Sequence, residues 1–143
     1  MLVRLLEKYA KTAASRLRAF RKLYTIDTGL YIHLQRLTPA RVEEKGKLGN
    51  LAEIAVFAQL NAYPIVSGKL FYFRERDLEV DLVLETLGGL LPVEVKYRET
   101  PKDLKGLRYF KERFKAPNAV VITKDALNYE NGTLFAPLGL FLS

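Results

Sequence analysis

Two carboxylates and a lysine, set on what read as neighbouring strands, are the parts from which a divalent-cation site for phosphate chemistry is built. In Pro92-Val-Glu-Val-Lys-Tyr97 side chains alternate across a strand, so Glu94 and Lys96 share one face and Val93, Val95 and Tyr97 the other. In Leu78-Glu-Val-Asp-Leu-Val-Leu84 the same parity groups Glu79 with Asp81, and Val80 with Leu82 and Leu84. Pairing of the two strands through a Gly88-Gly89 turn brings Asp81 alongside Glu94. Carboxylates held close repel and raise each other's pKa, which a divalent cation relieves. Such a cation binds a phosphate oxygen and acidifies a bound water, while a nearby ammonium, here Lys96, offsets the developing charge. The plain alternative is an exposed Glu94–Lys96 pair on an ordinary sheet face, worth only about 0–1 kcal/mol.

A third acid comes from a helix. Gly49 to Ala62 is rich in helix formers, with Asn50 as the expected N-cap, and is the most apolar helix of the chain. Glu53 is its single charged residue. A buried carboxylate without a counter-charge costs several kcal/mol, so Glu53 requires a cation, either a basic side chain or a metal.

The remaining elements must position these groups. Strands are expected over Lys69–Arg74, Leu78–Glu85 and Leu90–Tyr97, an antiparallel meander joined by hairpin-length turns. An amphipathic helix opened by Pro101 and Asp103 runs to about Lys115, with Leu104, Leu107, Phe110 and Phe114 on one side. Ala119–Thr123 is a β-branched run that a right-handed crossover sets parallel to the third strand, and Thr133–Pro137 adds a further strand. Earlier in the chain, a short β-prone stretch from Lys22 leads through an Asp27–Gly29 turn to a short helix over Leu30–Leu37. Residues 38–47 read as an exposed loop and a candidate flap.

Composition narrows the chemistry. The chain has 143 residues, 49% of them hydrophobic and 27% charged, which suits one folded core. Without cysteine and with the single histidine His33, disulfides, thiolate zinc sites and imidazole clusters are excluded, and Ser-His or Cys-His catalysis would depend on His33. A metal would be held by oxygen, which favours Mg²⁺ or Mn²⁺. No apolar run reaches the ~20 residues of a membrane helix, so a cytoplasmic location is expected. One methionine, no tryptophan and abundant Lys, Arg and Glu fit a thermophilic source.

The net charge of +7 is unevenly spread. Residues 1–22 carry Arg4, Lys8, Lys11, Arg16, Arg18, Arg21 and Lys22 against Glu7, a net of +6, and the rest is nearly neutral. Leu2, Leu5, Leu6, Tyr9 and Ala13 recur at helical spacing, which predicts an amphipathic helix with a basic outer face over residues 1–21, either a DNA-contacting element or a linker.

The ordered set of a helical acid, Asp81, then Glu94-x-Lys96 and a basic amphipathic helix resembles the PD-(D/E)XK nuclease superfamily. Within it the chain looks most like the nuclease-like domain at the C-terminus of archaeal and bacterial AAA-type ATPases. The stretches that carry the resemblance are Lys22-Leu-Tyr-Thr-Ile-Asp-Thr-Gly-Leu30, Gly49-Asn-Leu-Ala-Glu53, Arg74 with Glu79-Val-Asp-Leu-Val83, Pro92-Val-Glu-Val-Lys96 and Pro137-Leu-Gly-Leu-Phe-Leu142.

That resemblance implies an α/β, restriction-endonuclease-like three-layer fold: a central mixed sheet, meander plus parallel strand, flanked by helices, over residues 22–143. It implies Glu53, Asp81, Glu94 and Lys96 as catalytic residues. Asp81, Glu94 and the Val95 carbonyl would be the ligands of Mg²⁺ or Mn²⁺, with Arg16, Arg18, Lys22, Arg74, Lys102 and Lys105 on DNA. Its partners would be DNA and an ATPase, separate or on the same parent chain, and a homodimer is an assembly it allows. The chain has no Gly-x4-Gly-Lys-Ser/Thr loop, since Tyr63 and Leu70 stand at the glycine and hydroxyl positions around Gly68-Lys69, so ATP binding by these residues is not expected. It is then either a freestanding relative or a fragment of a longer protein. A non-catalytic DNA-binding or regulatory module is the alternative function.

Overall fold

The computed structural model describes residues 2–42, 44, 46–63, 69–97 and 103–143. Its centre is a mixed six-stranded sheet in the order β3-β4-β5-β6-β8-β7. The strands are β3 (Leu70–Glu75), β4 (Leu78–Thr86), β5 (Gly89–Lys96), β6 (Ala119–Thr123), β7 (Asn128–Glu130) and β8 (Thr133–Pro137). The first three form the expected antiparallel meander, and β6 runs parallel to both β5 and β8. Pro92 is tolerated in a central strand because the β5–β6 ladder begins one residue later, at Val93–Val120.

Helices cover both faces. A helix over Lys47–Asn61 packs Ile54, Val56 and Phe57 with Leu82, Leu84, Val93 and Ile122. A helix over Lys105–Arg113 packs Leu107 and Phe110 with Phe71, Phe73, Val83 and Val121. Since Leu82 and Val83, or Ile122 and Val121, point to opposite sides of their strands, these two clusters are the two faces of the sheet. The shorter helices are α1 (Ala13–Arg18), α2 (Thr28–Leu34), α3 (Pro39–Val42) and, at the end of the chain, Leu138–Leu142. We number the Lys47 helix α4, the Lys105 helix α5 and the last α6.

The start of the chain departs from expectation. Residues 3–6 form a strand, β1 (Val3–Leu6), paired antiparallel with β2 (Lys22–Thr25), and helix is confined to α1. The chain then runs on along the meander: the Tyr9 N–H donates to the Tyr72 carbonyl at 2.7 Å and the Tyr72 N–H to Glu7 at 3.1 Å. Backbone pairing with β2 and β3 thus outcompetes the helical periodicity of Leu2, Leu5, Leu6 and Tyr9. Leu6 is buried in the core, while Leu2 and Leu5 stay exposed.

Two smaller differences have local causes. Asn50 lies inside α4, its amide donating to the Tyr31 hydroxyl at 3.5 Å, and the N-cap is Gly46 in the left-handed region (φ 89°). Within the stretch expected to be a loop, Pro39–Val42 forms one helical turn, while residues 43 and 45 of the candidate flap lie outside the described residues. Among the described residues no helix is long and apolar enough to cross a membrane.

Candidate functional site

A register slip in the meander shapes the site. Phe71 pairs with Val83 but Phe73 with Val80, so Asp81 and Leu82 together oppose Tyr72. This is a β-bulge, the device by which a strand re-aims a side chain. Strict alternation therefore fails here: Val80 joins the α5-side cluster with Val83, and Leu82 joins the α4-side cluster.

On the other flank of β4 the ladder to β5 ends at Leu82–Val93. One further step of that register would set Asp81 opposite Glu94. There the Asp81 side chain replaces the ladder, its Oδ2 accepting from the Val95 N–H at 2.8 Å. The opening between the strands is a polar cleft of about 210 Å³ lined by Asp77, Glu79, Asp81, Glu94 and Lys96 together with Asp103 and, from α5, Lys105 and Gly106.

Glu94 is the deepest member, its side chain only 8% exposed. Its Oε1 lies 3.1 Å from Lys96 Nζ, while its Oε2 is buried and, among the described residues, makes no well-formed hydrogen bond. Burial raises the Glu94 pKa, with Lys96 and the Asp81 backbone N–H pulling against the shift. Asp81 is pushed well above the usual carboxylate range, first by burial and then by the charges of Glu94 and Glu53, against the Val95 N–H and Lys22.

Glu53 approaches from the α4 side. Its Oε1 accepts from Lys22 Nζ at 2.7 Å and from the Tyr24 hydroxyl, both on β2. Lys22 also reaches Glu79 Oε1 at 3.3 Å, and Arg74 holds Glu79 Oε2 at 3.2 Å. Burial alone would lower the Lys22 pKa, but Glu53, Asp81 and Glu79 together raise it. The Tyr24 ring stacks on Phe57 with centroids 4.4 Å apart, and burial beside Glu53 pushes its hydroxyl pKa far up, so it stays a donor.

The expected residues therefore fall into distinct places. Asp81, Glu94 and Lys96 line one cleft, with Lys105 at its α5 rim. Glu53 joins them through the charge of Asp81 and not as a lining residue. Val95 enters through its N–H. Lys22 and Arg74 are engaged by carboxylates. Arg16 lies over the rings of Tyr9 and Phe71 and donates to the Ala10 carbonyl at 2.7 Å. Arg18 is exposed, and Lys102 lies outside the described residues. Two functional groups went unanticipated. Glu79 was signalled by its shared parity with Asp81, whereas nothing local marks Tyr24 as the partner of Glu53.

A family model described as a domain of unknown function (DUF4143) matches residues 48–141. The chain belongs to the DUF4143 family. The matched span of the DUF4143 domain runs from α4 to α6 and so holds Glu53, Glu79, Asp81, Glu94 and Lys96, while Lys22 and Tyr24 precede it. No curated protein and no solved structure matches the chain.

Proposed function

We propose that this domain is a metal-dependent DNA endonuclease of the PD-(D/E)XK type, with a restriction-endonuclease-like arrangement of its α/β sheet. The observation that carries the reading is Glu94: a buried carboxylate with one oxygen held by Lys96 and the other, among the described residues, without a well-formed hydrogen bond, beside the half-buried carboxylate of Asp81. A buried acceptor left unsatisfied costs about 1–3 kcal/mol, more when charged, and a cation is the ligand that removes the cost. An all-oxygen donor set suits Mg²⁺ or Mn²⁺.

Asp81 and Glu94 would hold the ion, which when bound would supply Lewis-acid polarisation of the scissile phosphate and an acidified water. Lys96 would stand beside the attacking water, its ammonium kept in place by Glu94. Among the described residues, Lys105 on the rim and exposed Arg18 are the expected DNA contacts whose side chains are held by neither carboxylate, carbonyl nor ring, and the protein would act in the cytoplasm.

A different observation favours the non-catalytic reading, a DNA-binding or regulatory module serving an AAA-type ATPase. Among the described residues no three acidic, histidine or cysteine side chains converge as a metal-binding group. Incubation of the purified protein with supercoiled, linear and branched DNA in Mg²⁺ or Mn²⁺ separates the two. Cleavage lost in Asp81→Ala and Lys96→Ala supports the nuclease; cleavage that survives both refutes the site, and DNA binding without cleavage supports the module.

A further inference from the structure

Lys22 stands where a cation is wanted. Its Nζ lies 2.7 Å from Glu53 and 3.3 Å from Glu79, and Asp81 adds to the field around it. The ammonium is 5.2 Å from the centroid of the Tyr24 ring, whose hydroxyl shares Glu53 with it. β2 holds it there through pairing with β1, in which Lys22 is matched to Leu6, a core residue. The position is thus fixed by backbone pairing, ring and two carboxylates.

We propose that Lys22 is the permanent occupant of a second cation position, formed by Glu53 and Glu79 next to Asp81, so that the cleft takes one divalent ion and not two. This inference rests on the metal reading of Asp81 and Glu94. Its basis is charge. Among the described residues, six carboxylates, the cleft's Asp77, Glu79, Asp81, Glu94 and Asp103 with Glu53 behind them, meet four cations, Lys22, Lys96, Lys105 and the Arg74 guanidinium on the outer oxygen of Glu79. The remaining negative charge suits a single divalent ion. A second one beside the Lys22 ammonium would meet like charge in a partly buried setting, where repulsion is poorly screened.

The same geometry says what removing the ammonium does. Without it Glu53 and Glu79 become an unrelieved acidic pair adjoining Asp81, and a second divalent ion takes the vacated place. Lys22 is then a positioning residue: it neutralises Glu53 and Glu79 and leaves Asp81 to the single ion shared with Glu94.

Manganese titration followed by electron paramagnetic resonance counts bound ions without turnover. Expected are one ion in the wild-type protein, one in Lys22→Arg, which keeps the charge, and two in Lys22→Met. The second ion should also show as a larger manganese-induced rise in melting temperature for Lys22→Met than for wild type, because it binds the folded state alone. Two ions in the wild type, or in Lys22→Arg, overturn the role of Lys22 even if Lys22→Met does not fold. One ion in a folded Lys22→Met overturns it equally. No bound manganese in the wild type overturns the metal reading of Asp81 and Glu94 instead.

Discussion

Replacing Gly106 by alanine pits two effects of opposite sign against each other. Gly106 lies in the first turn of α5, where the helix rests directly on the backbone of β4. A Cβ at this position would sit 2.2 Å from the Glu79 carbonyl oxygen and 2.9 Å from both its carbonyl carbon and its amide nitrogen. Ordinary contact begins at 3.4 Å, so the helix must lift by about 1 Å. The obstacle is main chain in a paired strand, which cannot swing aside as a side chain could. Overpacking of this kind costs about 1–3 kcal/mol, and the upper end applies where backbone meets backbone. Against it stands the helical advantage of alanine over glycine, about 1 kcal/mol. The balance is a loss of about 2 kcal/mol. At about 2–4 °C per kcal/mol for a chain near this size, the melting temperature falls by about 4–8 °C. Thermal unfolding followed by circular dichroism reads the sign directly. An unchanged or raised melting temperature in Gly106→Ala would refute the close seating of α5 on β4, because the propensity gain would then stand unopposed.

Two further outcomes follow from single groups. The folded state holds the Asp81 pKa well above 3.8 through burial and its acidic neighbours, so it binds that proton more tightly than the unfolded chain does. Asp81 therefore favours folding most below its unfolded pKa, and the benefit is lost as pH rises through the raised value. In metal-free buffer Asp81→Asn should gain stability relative to wild type as pH climbs from about 4 to 8; denaturant midpoints differing by a constant amount across that window would contradict the assignment. Lys115 follows the Phe114 C-cap of α5 in the left-handed region (φ 52°), with the Ala116 N–H closing on the Lys111 carbonyl at 3.0 Å. Glycine is the residue suited to that backbone, so Lys115→Gly should stabilise by about 0.5–1 kcal/mol, and a loss in chemical denaturation would show the strain to be absent.

The meander, the parallel β6 and the two flanking helices were readable because each rests on local pattern: apolar alternation, hairpin-length turns and helical periodicity. Glu53 was readable in part. Its solitary charge on an apolar helix demanded a cation, and the cation is Lys22, 31 positions earlier in the chain. Which residue answers such a demand is a matter of tertiary pairing. The same limit explains β1, whose four residues fit a helix as well as a strand until β2 is beside them. The bulge at Asp81 was hidden because β4 alone reads as unbroken alternation; only its pairing with β3 shows the slip. Strand β7 carried a turn signal in Asn131-Gly132, both in the left-handed region, but its three exposed residues show no apolar pattern.

The hydrogen bond from the Val95 N–H to Asp81 gives the cleft an internal reporter. An amide held by a neighbouring strand exchanges its hydrogen when the sheet opens, whereas this one is held by a side chain and exchanges when that carboxylate turns away. Protonation of Asp81 or its recruitment by a cation weakens the bond without disturbing the ladder at Leu82–Val93. Isotope exchange at this one position, compared with its neighbours on β5, would follow the state of the acid at the heart of the molecule in a protein that has turned over no substrate.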